Sequence, residues 1–143
     1  MSTPVELSLE QLSQAVCATL EQLAFAETVP CPPPDSAPSS DPMVAARLSF
    51  NGPLPGALTL RIPAALAREL AGDALGDPDT AADAGALRDA VGEFLNTIAG
   101  TLLRDAGLSG YELGLPEPCG APAAGAREAW FEVRDQKLAV SLE

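Results

Sequence analysis

The residues best placed for chemistry lie in one segment, Asp89-Ala-Val-Gly-Glu93-Phe-Leu-Asn96-Thr-Ile-Ala-Gly100. Leu87, Val91, Leu95, Ile98 and Leu102 recur at helical spacing and make one apolar stripe. At about 100° per residue, Asp89, Glu93, Asn96 and Gly100 then fall within roughly 60° on the opposite side. A carboxylate and a carboxamide therefore stand one turn apart on the outside of a helix. The carboxylate can pair with a cation, and the amide can hold a water molecule without acting as a base. This face is poorly chosen for helix stability alone. Gly92 and Gly100 each cost about 1 kcal/mol relative to Ala, and Asn96 costs less than that but still something. Glycine also removes a side chain where another backbone must come close. Asp89, Gly92 and Gly100 are accordingly read as a contact surface around Glu93 and Asn96. The spacing alone also fits a solvated face, or glycines that serve packing inside the fold, better than it fits a functional site.

Composition narrows the chemistry by exclusion. The chain of 143 residues contains no histidine, which removes His-dependent triads, His metal sites and His general bases. Cys17, Cys31 and Cys119 are scattered, with no C-x-x-C. Neither a zinc ribbon nor a dithiol redox site is suggested, and no metal site is expected. Unpaired thiols suit a reducing compartment. Twenty acidic residues against eight basic ones give a net charge of -12, so neither nucleic acid nor an anionic membrane is an expected partner. The N-terminus MSTPVELSLEQ is acidic and polar and does not read as a signal peptide. No apolar run approaches the ~20 residues of a membrane span. A cytoplasmic protein with a single domain over residues 1–143 is expected.

The elements around the motif helix are legible from periodicity and punctuation. Leu12, Val16, Leu20 and Leu23 predict an amphipathic helix over residues 7–25, with Ser8 and Gln11 as a capping box. Residues 30–42 are dense in Pro, Ser and Asp and read as a mobile loop. Alternating apolar residues predict strands at 43–50 and 56–62, joined by the NGPLPG turn. Pro63 is expected at the first position of a helix ending at Gly76. The motif helix is expected over 81–106, opened by Asp79 or Thr80 and closed by Gly107. A strand at 111–115, a loop at 116–125 and a terminal hairpin at 129–142 follow. Leu138-Ala-Val140 reads as an apolar strand edge suited to pairing with a second copy. The pattern has no β-α-β alternation, so the expected class is α+β. A gapless overlay of residues 13–25 on 88–100 matches Ala15, Val16, Leu20 and Ala24 with Ala90, Val91, Leu95 and Ala99. It places Ala18 and Glu21 opposite Glu93 and Asn96, so the first helix carries no second acid–amide pair.

Glu93-x-x-Asn96-x-x-x-Gly100 in an apolar helix resembles the signature of the CheC/CheX/FliY phosphatases of bacterial chemotaxis. Phe50-x-Gly52-x-x-x-Gly56-x-Leu58-x-Leu60 resembles that family's glycine-punctuated hairpin, Leu113-Gly-Leu-Pro116 the segment after the motif helix, and residues 131–142 its closing strand pair. The similarity covers most of the chain from Met43 onward. Length and a single motif per chain are those of stand-alone CheX-like proteins. The resemblance implies an antiparallel sheet with two long helices packed on it. It also implies a phosphorylated response-regulator receiver domain as partner and substrate, and a homodimer. Asn96 would orient a water for in-line attack on the receiver's aspartyl phosphate, while Glu93 would pair with the receiver's lysine. The chain would need no cofactor of its own, the Mg²⁺ being bound by the receiver. The alternative is a non-catalytic receiver-binding or assembly module of the same fold.

Overall fold

The first helix is set by its capping box. In the computed structural model, which describes residues 7–33, 43–52, 55–76, 84–107, 110–118 and 126–143, the Ser8 hydroxyl accepts the Gln11 N–H at 3.1 Å. The Gln11 side chain accepts the Ser8 N–H in return at 3.0 Å. Two of the orphan amides at the helix start are thereby satisfied. Helix α1 runs over Leu9–Ala24 and ends at Phe25, which adopts a left-handed conformation. A three-residue strand, β1 (Val29–Cys31), follows, so the stretch read as loop from residue 30 opens with strand. Pro30 is tolerated there because β1 is an edge strand, paired on one side only, with β6 (Arg127–Val133). Residues 34–42 of the expected loop lie outside the described residues.

The expected hairpin forms β2 (Met43–Asn51) and β3 (Gly56–Pro63), with Leu48 opposite Leu58 and Ala46 opposite Leu60. Pro63 closes β3 and serves as N-cap of helix α2 (Ala64–Leu75) rather than as its first helical residue. Its ψ of 137° is still extended. Gly76 ends α2 in the left-handed conformation, as expected. Helix α3 spans Ala84–Asp105 within the described residues; its expected opening at Asp79 or Thr80 lies outside them. Past Gly107 come two short strands, β4 (Glu112–Leu113) and β5 (Glu117–Pro118). The chain then forms the hairpin of β6 and β7 (Gln136–Leu142), which turns at Arg134 and Asp135, both at positive φ.

The strands form one antiparallel sheet in the order β1-β6-β7-β3-β2-β4, with β5 also pairing with β2. β7 lies between β6 and β3. Leu138-Ala-Val140 is therefore interior and not an edge, because hairpin pairing on one side and β3 on the other use both of its hydrogen-bonding sides. Among the described residues the edges are β1 and the β4–β5 segment, and each carries proline, Pro30 on one and Pro118 on the other. Proline on an edge discourages strand addition.

The described residues hold three helices, not two, on the sheet: the 12-residue α2 packs against β2 and β3 beside the longer α1 and α3. The core lies between this layer and the sheet face carrying Leu48, Phe50, Leu58, Ile62, Phe131 and Val140. On the opposite face the pleat places small residues, Ala57, Thr59, Ala139 and Ser141, all buried. Glu128 accepts hydrogen bonds from Arg61, from Trp130 Nε1 at 2.7 Å and from Ser141 Oγ at 3.4 Å. The Arg61 guanidinium sits 5.6 Å from the Trp130 ring centroid.

Candidate functional site

Helix α3 buries one broad face in the core. Its expected stripe, Leu87, Val91, Leu95, Ile98 and Leu102, is joined in the core by Phe94, Ala99 and Leu103. Contacts to α1, α2, β2 and β3 account for this. On the open face Asp89, Glu93 and Asn96 are all exposed. Among the described residues, the side chains of Glu93 and Asn96 make no hydrogen bond or ion pair. The Glu93 backbone carbonyl accepts Thr97 Oγ1 at 3.0 Å, a bond within the helix that leaves the carboxylate free. The acid and the amide therefore stand one turn apart, facing water, on a helix fixed by its core contacts. Such a pair can meet a cation and a bound water on another molecule without first breaking any contact of its own.

The two glycines of the motif differ. Gly100 is half-buried, and a β-carbon built on it would meet nothing within 4 Å. The space above it is open, as a contact surface requires. Gly92 does not present bare helix to a partner: it is buried beneath Pro116, which a β-carbon on Gly92 would approach to 3.0 Å. The expectation of a partner-facing Gly92 is corrected by the helical wheel. Gly92 lies about 40° outside the arc holding Asp89, Glu93, Asn96 and Gly100, and that small angle is enough to bring it under the β4–β5 segment.

That segment is the part of the site that pattern reading missed. Leu113 pairs with Phe50 and Glu117 with Arg47. Three residues, Gly114, Leu115 and Pro116, thus face the two residues Leu48 and Ser49, which is a β-bulge. The Gly114 N–H donates to the Ser49 carbonyl at 2.7 Å and anchors the bulge. The signal in the sequence was a Leu-Pro pair within a run too short for a full strand, next to a glycine on the motif helix. Between the segment and the start of α3 lies a cleft of about 270 Å³, lined by residues that include Val44, Gly85, Arg88, Asp89, Pro116 and Glu117. Asp89 borders both this cleft and the open face. A larger hollow, about 800 Å³, is lined by Phe25, Arg68, Glu69, Asp73 and Arg134 among others and by no residue of α3. Arg134 there donates to Asp73 and reaches the Ala24 carbonyl at the end of α1, a tie between elements that explains the cluster without a ligand. Among the described residues, no three His, Cys, Asp or Glu side chains are grouped to hold a metal ion, and no helix is long and apolar enough to cross a membrane.

Comparison with solved structures places this arrangement among known folds. The chain superimposes on chemotaxis protein CheX from Vibrio vulnificus with a TM-score of 0.72 at 16% identity, covering 94% of this chain and 96% of that one. CheX in the CheX-CheY-BeF3-Mg²⁺ complex from Borrelia burgdorferi matches with a TM-score of 0.70 at 15% identity, covering 96% and 97%. FliY from Thermotoga maritima matches less closely, with a TM-score of 0.59 at 13% identity, covering 92% and 83%. At these identities the likeness is one of fold. No curated protein sequence matches. The sequence profile described as "Chemotaxis phosphatase CheX" matches residues 44–127, a span that holds the β2–β3 hairpin, α2, the whole of α3 and the bulged segment. On that match, the chain belongs to the CheX family of chemotaxis phosphatases.

Proposed function

We propose that the chain is a phosphatase of receiver domains, hydrolysing the aspartyl phosphate of a CheY-like response regulator. Asn96 holds the attacking water in line with the phosphorus, and Glu93 pairs with the receiver's lysine and sets the register of docking. Water adds at phosphorus as the bond to the aspartyl oxygen breaks. The receiver recovers its carboxylate and inorganic phosphate leaves. The Mg²⁺ that balances the phosphoryl charge belongs to the receiver, and this chain supplies positioning. Phosphoryl transfer rests largely on positioning and charge stabilisation, which suits a chain without histidine. Asp89 and Gly100 flank the pair as contact surface, and the reaction is assigned to the cytoplasm.

The observation that carries this reading is the state of Glu93 and Asn96: one turn apart, exposed and, among the described residues, unpaired on the open face of a helix whose other face is buried in the core. A surface chosen only for solubility has no need of an asparagine beside an open glycine in the middle of a helix. Family membership supports the same reaction, and the solved CheX-CheY complex supports the same kind of partner. The test is loss of phosphate from a labelled receiver at fixed Mg²⁺, with and without this chain. Acceleration across any member of a receiver panel supports the phosphatase. Binding to beryllofluoride-activated receiver without acceleration identifies a docking module instead.

A further inference from the structure

We infer that Leu115 is an apolar docking residue for the receiver, held against the partner by the bulged segment beside Glu93 and Asn96. The inference rests on the receiver-phosphatase reading and adds to it a contact outside α3. Leu115 is 84% exposed, the most exposed of the large apolar side chains among the described residues. An exposed leucine by itself means little. Its mounting is what separates it from a loose loop residue. On one side Leu113 pairs with Phe50, and on the other Glu117 pairs with Arg47. Between them the Gly114 N–H is bonded to the Ser49 carbonyl at 2.7 Å. A side chain on Gly114 would sit 3.1 Å from that same carbonyl oxygen, so this end of the bulge lies tight against β2. Pro116 follows directly, restricting Leu115 to extended backbone, and presses onto Gly92 of α3.

A bulge re-aims the side chain it carries, and bulges recur beside active sites. Here the extra residue separates Leu115 from the sheet and leaves it in water, while its neighbour Pro116 is seated on the motif helix. Gly92, beneath Pro116, directly precedes Glu93, and Asn96 lies about 6 Å further along the helix axis and some 40° round it. Leu115 is thus next in chain to the residue that sits on Gly92, one position before Glu93. A rigid apolar anchor next to a polar catalytic pair is the arrangement by which interfaces gain affinity with little ordering cost. The occupant follows from that position: a receiver domain that presents its phosphorylation site to Asn96 lays the rim of that site on Leu115.

The experiment compares wild type with Leu115→Glu and Leu115→Met. A labelled receiver gives kcat and KM for dephosphorylation, and titration with beryllofluoride-activated, Mg²⁺-loaded receiver gives Kd. Leu115→Glu is expected to raise KM and Kd about tenfold or more, the range of a central interface anchor. Its kcat should stay within about twofold and its melting temperature should not change, since the side chain lies largely in water. Leu115→Met, of similar size and apolarity, is expected to keep wild-type KM. Unchanged KM and Kd in Leu115→Glu, with active wild type, overturns the docking role and leaves the phosphatase reading intact. A fall in kcat alone also overturns it. If wild type neither binds nor dephosphorylates any receiver of a broad panel, the phosphatase reading fails and the docking role fails with it.

Discussion

A β-carbon on Gly92 would lie 3.0 Å from the Cβ of Pro116 and 3.3 Å from its Cγ. The motif helix and the edge of the sheet therefore meet through a contact that any larger residue at position 92 would disturb. Pro116 is fixed in turn by the pairing of its neighbour Glu117 with Arg47. The relative position of the acid–amide pair and the bulged segment is thus set by packing within the chain. It does not wait for a partner.

Gly92 and Gly100 should consequently respond in opposite ways. Gly92→Val places two further methyl groups against Pro116 and should destabilise the fold by about 1–3 kcal/mol, the usual cost of overpacking. Gly100→Ala meets open space and should stabilise it by up to about 1 kcal/mol through helix propensity. Urea unfolding of both variants checks this. Gly100→Ala should also weaken receiver binding if the bare surface at that position serves the partner. Equal destabilisation by the two substitutions would contradict the distinction drawn between them.

Glu93, Asn96 and the apolar stripe of α3 were legible in the sequence because a helical wheel needs only spacing, and spacing is a local property. The capping box of Ser8 and Gln11 was legible for the same reason. What escaped depended on contacts distant in sequence. Phe94, Ala99 and Leu103 are buried because α3 is enclosed by α1, α2 and the sheet, and a one-sided stripe does not report enclosure. Leu138-Ala-Val140 looked like an edge because strand order is not encoded in alternation; β3 turned out to be its neighbour. The role of Gly92 required knowing that Pro116 would lie above it. Pro116 itself read as loop, because each half of the bulged edge is only two residues long.

Glu128 should matter to stability more than its place on the outer sheet face suggests. It accepts from Arg61, Trp130 and the buried Ser141. Glu128→Ala leaves several donors without their acceptor, at about 1–3 kcal/mol for an unsatisfied group in a buried site. Partial solvent exposure of Glu128 and Arg61 moves the expectation to the lower end of that range. Glu128→Gln keeps an acceptor and should cost less. Denaturant midpoints for the pair of variants give the comparison, and an unaffected Glu128→Ala would show that the outer layer contributes little.

Cys17 should be a slow thiol. Burial pushes its pKa above the ordinary value, and the nearby Glu21 carboxylate adds to the effect. Its Sγ also donates to the Thr28 carbonyl at 3.3 Å. The thiolate is the reactive form, so alkylation of Cys17 by iodoacetamide at pH 8 should be slower than that of a free cysteine peptide, as read by peptide mass spectrometry. The folded state holds this proton more tightly than the unfolded chain does. The stabilisation is therefore complete below the ordinary thiol pKa and is lost as pH rises through the raised folded value. Cys17→Ala should reduce that alkaline loss; an identical pH profile in the variant would rule Cys17 out as its source.

The division of labour between Asn96 and Glu93 gives the sharpest test of the reaction. Asn96→Ala removes the group proposed to hold the water and leaves most of the contact surface in place. Receiver dephosphorylation should fall by about 10² or more, the scale of misplacing a reacting group, with Kd for activated receiver little changed. Glu93→Ala removes the proposed charged contact with the receiver and should raise Kd and KM as well as lower the rate. Both side chains are exposed and unpaired within the described residues, so both variants should fold, and alanine at position 96 should favour the helix slightly. Increasing ionic strength should narrow the difference between wild type and Glu93→Ala, because salt screens an exposed pair, and should leave the defect of Asn96→Ala in kcat unaltered. Wild-type activity in Asn96→Ala would show that the water is positioned by some other group, even with a receiver confirmed as substrate.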